Sequence, residues 1–154
     1  PSHLNLVKKA INNNPKGDAW NIVGPLKEVE DLNKNSFVKS VITQNNRIIY
    51  CFRKSPITSS FKTCQTFVKK IHGIIAYRKD FLLDLVKLPP SNIEKHESIE
   101  QMRIIENGFN LSSVLVESST PGINEPHELD IVLDILKKDK FQNNLLKEII
   151  ECHQ

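Results

Sequence analysis

Three places in this chain hold side chains whose chemistry suits a binding site. Glu100 and Gln101 stand side by side in a stretch that also carries Glu94, Glu97 and Arg103. A carboxylate beside an amide can hydrogen-bond a set of hydroxyls such as a sugar presents. On a continuous helix, at about 100° per residue, Glu97, Glu100 and Gln101 share a face with Ile93 and Ile104, while Ile99 and Met102 point elsewhere. Two readings follow: a solvated acidic face paired with Lys95 and Arg103, or a polar stripe turned into a pocket. Arg53 closes a β-rich run; it is either a plain exposed arginine or a bidentate holder for a carboxylate. Asn124, in Pro121-Gly122-Ile123-Asn124-Glu125-Pro126, lies just before a helix. It is suited to capping that helix, and equally to offering an amide oxygen to magnesium, which takes hard oxygen ligands and few of them from protein.

Other chemistries find little support. His3, His72, His96, His127 and His153 form no ligand pattern, and Cys51, Cys64 and Cys152 are odd in number with no Cys-x-x-Cys spacing. They read as free thiols in a reducing compartment. There is no Gly-rich phosphate loop, Walker-type lysine or nucleophile elbow. The net charge of +3 is spread along the chain, which argues against a nucleic-acid partner. With 39% hydrophobic and 25% charged residues and a mean hydropathy of -0.33, the 154 residues have the composition of a soluble globular protein. No apolar run reaches membrane-spanning length and no signal peptide opens the chain, so a cytoplasmic location without a membrane partner is expected.

The elements that must position these residues alternate in type. A helix over Leu4 to Ile11 closes near Asn14-Pro15, and a short apolar run, Ala19 to Val23, follows. Phe37 to Ile42 and Arg47 to Phe52 flank Asn45-Asn46, predicting a hairpin, because Asn tolerates the positive φ of tight turns. Lys54 to Cys64, with Pro56 and five Ser or Thr residues, reads as a loop. Val68 to Tyr77 reads as a strand broken by Gly73, and Lys79 to Val86 as a helix with Phe81, Leu82 and Leu85 inward. Ser91 or Asn92 caps a helix from about Ile93 to Asn107 that Gly108 stops, and a strand at Phe109 to Val116 follows. Two amphipathic helices close the chain, presenting Leu129, Val132 and Leu136, then Phe141, Leu145, Ile149 and Ile150. The expectation is an α/β architecture with a mixed sheet and one protruding β-hairpin.

Several segments also match as words. Pro90-Ser91-Asn92-Ile93-Glu94-Lys95-His96-Glu97-Ser98-Ile99-Glu100-Gln101-Met102-Arg103 resembles the pattern P-S-x-L-E-x-x-E-x-L-E-Q-L-R of the 3-deoxy-manno-octulosonate (Kdo) cytidylyltransferase family. Tyr50 to Ile57, Gly73 to Arg78 and Pro121 to Leu129 resemble further family segments in the same order. The resemblance implies the C-terminal part of a Rossmann-like nucleotide-diphosphosugar transferase fold. On this reading residues 1–154 are a single partial domain whose nucleotide-binding N-terminal half is absent, so that the fragment alone is inactive. It implies transfer of CMP from CTP to an acidic 3-deoxy sugar with release of pyrophosphate, for bacterial cell-surface polysaccharide or lipopolysaccharide, with Mg2+ as cofactor and a homodimer as the working form.

By the same resemblance, Glu100 and Gln101 contact the sugar, Arg53 takes the place of the family's hairpin-end arginine, and Asn124 replaces a metal-binding aspartate. Ile71 and Ile75 stand where the family has a sugar-facing histidine and tyrosine. That departure favours, as an alternative, another acidic sugar such as an amino-Kdo or a nonulosonate. A non-catalytic dimerising interaction module is the reading from a different class.

Overall fold

In a computed structural model, which describes residues 2–57, 59–117, 123, 126 and 128–152, the elements alternate as expected. Helix α1 (Ser2–Asn13) leads to strand β1 (Ala19–Gly24), and the hairpin consists of β2 (Lys39–Ile42) and β3 (Ile48–Phe52). Helix α2 (Phe61–Phe67) precedes the long strand β4 (Val68–Tyr77), followed by α3 (Lys79–Leu85), α4 (Asn92–Glu97), α5 (Gln101–Glu106) and β5 (Leu111–Leu115). Helices α6 (Glu128–Lys138) and α7 (Lys140–Glu151) come last. The chain divides into two compact units, Pro1–Ser119 and Thr120–Gln154.

The first unit is built on a five-stranded mixed sheet in the order β3-β2-β4-β1-β5, with β1 antiparallel to β4 and parallel to β5. Every residue of β1 is buried, as a strand covered on both faces requires. Period-two alternation sends Ala19 and Val23 to one face, where they join Phe81, Ile99, Met102 and Ile104. Trp20 and Ile22 go to the other, against Val7 of α1, Val114 and Val116. A third apolar cluster, with Leu26, Leu32, Phe52, Cys64 and Val68, lies beneath the connections around α2.

The hairpin turns where the sequence predicts, with Asn46 at a φ of 57°. Its turn carbonyl, Asn46 O, accepts from Ser113 N at 2.7 Å and Ser113 Oγ at 2.9 Å. The sheet is therefore curled enough for the turn beside one edge strand, β3, to reach the opposite edge strand, β5.

Four expectations change. The loop after Arg53 ends at Ser60, whose hydroxyl accepts from Thr63 N and starts α2, so Cys64 is helical. Leu82 faces outward, while Phe81 and Leu85 hold the inner side of α3. Strand β4 is continuous, but its ladder with β1 slips at Gly73: Asn21 pairs with Ile75 and Val23 with Ile71, two steps against four. The helix predicted from Ile93 to Asn107 is two helices, α4 and α5, broken at Ser98, which sits in the left-handed region at φ 54°. The break re-phases everything after it. Ile99 and Met102 are core residues, contrary to the continuous-helix projection.

In the second unit both amphipathic helices form. Asp139 caps α7 by accepting from Phe141 N and Gln142 N at 3.0 and 3.1 Å. Among the described residues no helix is long and apolar enough to cross a membrane.

Candidate functional site

The kink at Ser98 decides where the polar pair goes. Glu100 leads into α5 and is exposed, while Gln101, one residue on, is only 6% exposed and shares the core side of the helix with Met102 and Ile104. Of the pair, Gln101 is turned into the core side and Glu100 is turned to solvent. The Glu100 carboxylate is close enough to act on two neighbours. Burial, with the Glu100 charge adding to it, raises the Tyr77 hydroxyl and pushes the Cys51 thiol up to about 12, so Cys51 is an inert thiol.

Gln101 meets a residue that carried no flag in the sequence. Its Nε2 donates to Asn21 Oδ1 at 3.0 Å, and Asn21 Nδ2 donates to the carbonyls of His72 and Ile74, both at 2.9 Å. Those two carbonyls flank Gly73, where the β1–β4 ladder slips. Asn21 thus supplies the hydrogen bonds that the slipped ladder withholds. The available signal was a lone amide in the middle of the apolar run Ala19 to Val23, a position where a polar group needs a partner. Ile71 and Ile75, the two departures from the family pattern, are half-buried against the apolar cluster on this face.

Arg53 faces the kink from the hairpin side. Its Nε donates to Glu97 O at 3.1 Å, one terminal nitrogen to Asn35 O at 2.8 Å, and the other to Ser98 O at 3.4 Å. Three of its five N–H groups are engaged with backbone carbonyls, which leaves two. Beside it runs Lys39, fully buried, donating to Lys34 O and lying 4.7 Å from the centre of the Phe37 ring. Burial is the main reason its amine is lowered to about 8; the nearby Arg53 charge adds to this, against Asp31 and Glu97.

The two short helices are clamped to each other. Arg103 donates to Glu94 at 2.8 and 2.5 Å, and Glu106 accepts from Ser91 Oγ at 2.6 Å and Ile93 N at 3.0 Å. The Arg103 partnership holds the Glu94 carboxyl below the usual range. Glu94 also accepts from Ser91 N at 3.0 Å, closing the N-terminus of α4. The structure therefore gathers Arg53, Glu100 and Gln101 around one kink. Asn124 lies outside the described residues.

Residues 1–118 match the sequence model of a family described as Cytidylyltransferase. A 3-deoxy-manno-octulosonate cytidylyltransferase of Protochlamydia amoebophila is 30% identical over 149 residues, covering 95% of this chain and 56% of that protein. One from Chlorobium phaeobacteroides is 34% identical over 143 residues, covering 90% of this chain and 57% of its own length. The solved structure of CMP:2-keto-3-deoxy-manno-octonic acid synthetase complexed with CTP matches with a TM-score of 0.78 at 26% identity, over 90% of this chain and 56% of that one. The chain spans somewhat over half the length of these relatives. Its mixed sheet and flanking helices are those of the Rossmann-like nucleotidyltransferase fold. Since the family's sequence model covers most of its residues, this chain belongs to the cytidylyltransferase family.

Proposed function

We propose that the protein activates an acidic 3-deoxy-2-ulosonic acid of the Kdo type, joining it to the CMP moiety of CTP and releasing pyrophosphate. The observation that carries this reading is the likeness, over 90% of the chain, to a synthetase solved with CTP. The product would feed bacterial cell-surface polysaccharide or lipopolysaccharide synthesis, in the cytoplasm and from a homodimer.

In this reading Glu100 and Gln101 bind sugar hydroxyls from the start of α5, one from the rim and one from the core side. Arg53 holds the kink that carries them, and its two remaining N–H groups are available to the sugar carboxylate. Little covalent chemistry falls to such residues; they orient the anomeric hydroxyl toward the α-phosphate and exclude water. Asn124 is assigned as a magnesium ligand: one neutral amide oxygen fits a hard cation that fills the rest of its shell with water and phosphate. When bound, that ion supplies charge stabilisation on the phosphates.

A second reading keeps the reaction and changes the sugar. Ile71 and Ile75 offer aliphatic surface on the Gln101 side of the sheet, which favours an amino-Kdo or nonulosonate over Kdo itself. Pyrophosphate release, measured on the protein from the complete reading frame with CTP and a panel of ulosonates, separates the two. Glu100→Ala should lower kcat/KM for the sugar at least about tenfold with the fold intact. No release with CTP and any ulosonate would sink both readings.

A further inference from the structure

We propose that Asn21 is a positioning residue for Gln101, fixing that amide so that it presents its oxygen, not its nitrogen, to the sugar. The ligand group met there must then donate a hydrogen bond, as a hydroxyl or an amine does. The inference rests on the reading above, in which Gln101 lines the sugar subsite.

Four observations carry it. First, Asn21 is fully buried in the centre of β1, so its amide has no water to exchange partners with. Second, its orientation is forced: Nδ2 faces two carbonyl oxygens, His72 O and Ile74 O, at 2.9 Å each. A flipped amide would set Oδ1 against both and leave all three oxygens without a hydrogen. Third, with Oδ1 thereby fixed toward α5, Gln101 can approach it only with a donor, and its Nε2 does so at 3.0 Å. Fourth, the other branch of that amide stays open. Among the described residues no group donates to Gln101 Oε1, while the residue as a whole retains 6% exposure.

The slip in the β1–β4 ladder is thus read out two residues deep into the site. The bulge carbonyls orient Asn21, Asn21 orients Gln101, and Gln101 shows the ligand an acceptor. A ligand with an ether or carbonyl oxygen at that point would face oxygen with oxygen, which a buried acceptor rejects strongly.

The test uses the protein from the complete reading frame and the variants Asn21→Ala, Gln101→Ala, the double variant and Asn21→Asp. With Asn21→Ala the sugar KM should rise about tenfold while the CTP KM stays level, and the double variant should be no worse than Gln101→Ala alone. Asn21→Asp keeps an acceptor for Gln101 but loses the donor to His72 O and Ile74 O, so its melting temperature should fall and its sugar KM should rise as well. An unchanged sugar KM in Asn21→Ala, equal losses in both substrates, or additive effects in the double variant would overturn the proposal. Should Asn21→Ala not fold, the wild-type protein decides: fast exchange of the Gln101 side-chain amide protons refutes positioning. A readout independent of turnover is exchange of the Gln101 side-chain amide protons by NMR. Slow exchange in the wild type that becomes fast in Asn21→Ala supports the fixed orientation, and fast exchange in the wild type refutes it. Wild-type protein that turns over no ulosonate yet shows a protected Gln101 amide would fail the functional reading and keep the positioning.

Discussion

The two faces of β1 solve the same burial problem in different ways. On the α1 face, Trp20 and Ile22 pack against Val7, Val114 and Val116, an apolar contact with one flaw, the unpaired Nε2 of His72. On the α5 face, the apolar packing is interrupted by Asn21 and Gln101, whose mutual bond and carbonyl contacts leave the amide of Asn21 satisfied. The apolar face can be dry because nothing need enter it. The other face holds the Asn21 amide in one arrangement, since a buried polar group is tolerable only when its bonds are made. The contrast predicts that substitutions on the α1 face alter stability without altering sugar recognition.

The largest effect should come from that face. Trp20→Ala is expected to remove about 3–5 kcal/mol, measured by denaturant unfolding, with the sugar KM of the remaining folded protein unchanged. A shifted KM would merge the two faces. Next is the flaw itself. Burial, with Lys70 and His3 nearby, lowers His72 to about 4 from 6.5. Above pH 6.5 the residue is neutral folded or unfolded and adds no pH dependence. As pH drops from 6.5 toward 4 only the unfolded chain takes the proton, so stability falls, by about 2 kcal/mol at pH 5. His72→Leu should flatten that part of a melting-temperature profile; an equally steep profile would clear His72. The smallest effect belongs to the kink. Ser98→Gly should stabilise by up to about 1 kcal/mol, because glycine adopts positive φ without the penalty of a Cβ. A loss of that size would mean the Ser98 hydroxyl holds the kink.

What the sequence disclosed depended on how local its causes were. The hairpin was legible because Asn46 carries its own reason for a positive φ, and the ends of α1 and α5 were legible because Pro15 and Gly108 punctuate them. The break at Ser98 was not, because nothing in Glu97-Ser98-Ile99 forbids a helix; the cause is Arg53, 45 residues away from Ser98, bonding the carbonyls on either side of the turn. A continuous helix would turn Ile99 and Met102 away from the core side; the break returns them to it and buries Gln101 beside them. Arg53 reads in the sequence as a charge, yet its side chain contacts backbone carbonyls. Asn21 escaped notice because its partners lie in β4 and α5, and no local pattern points that far.

The Arg53 clamp also bears on what keeps the two short helices in place. Helices α4 and α5 have six residues each, well short of the length at which an isolated helix persists in water. Their mutual ion pair closes only after the chain reverses at Ser98, and that reversal is held by a guanidinium from the far end of the hairpin. The geometry of the helix pair, and with it the placing of Glu100 and Gln101, therefore depends on a contact from the hairpin end that lies 45 residues from Ser98 along the chain.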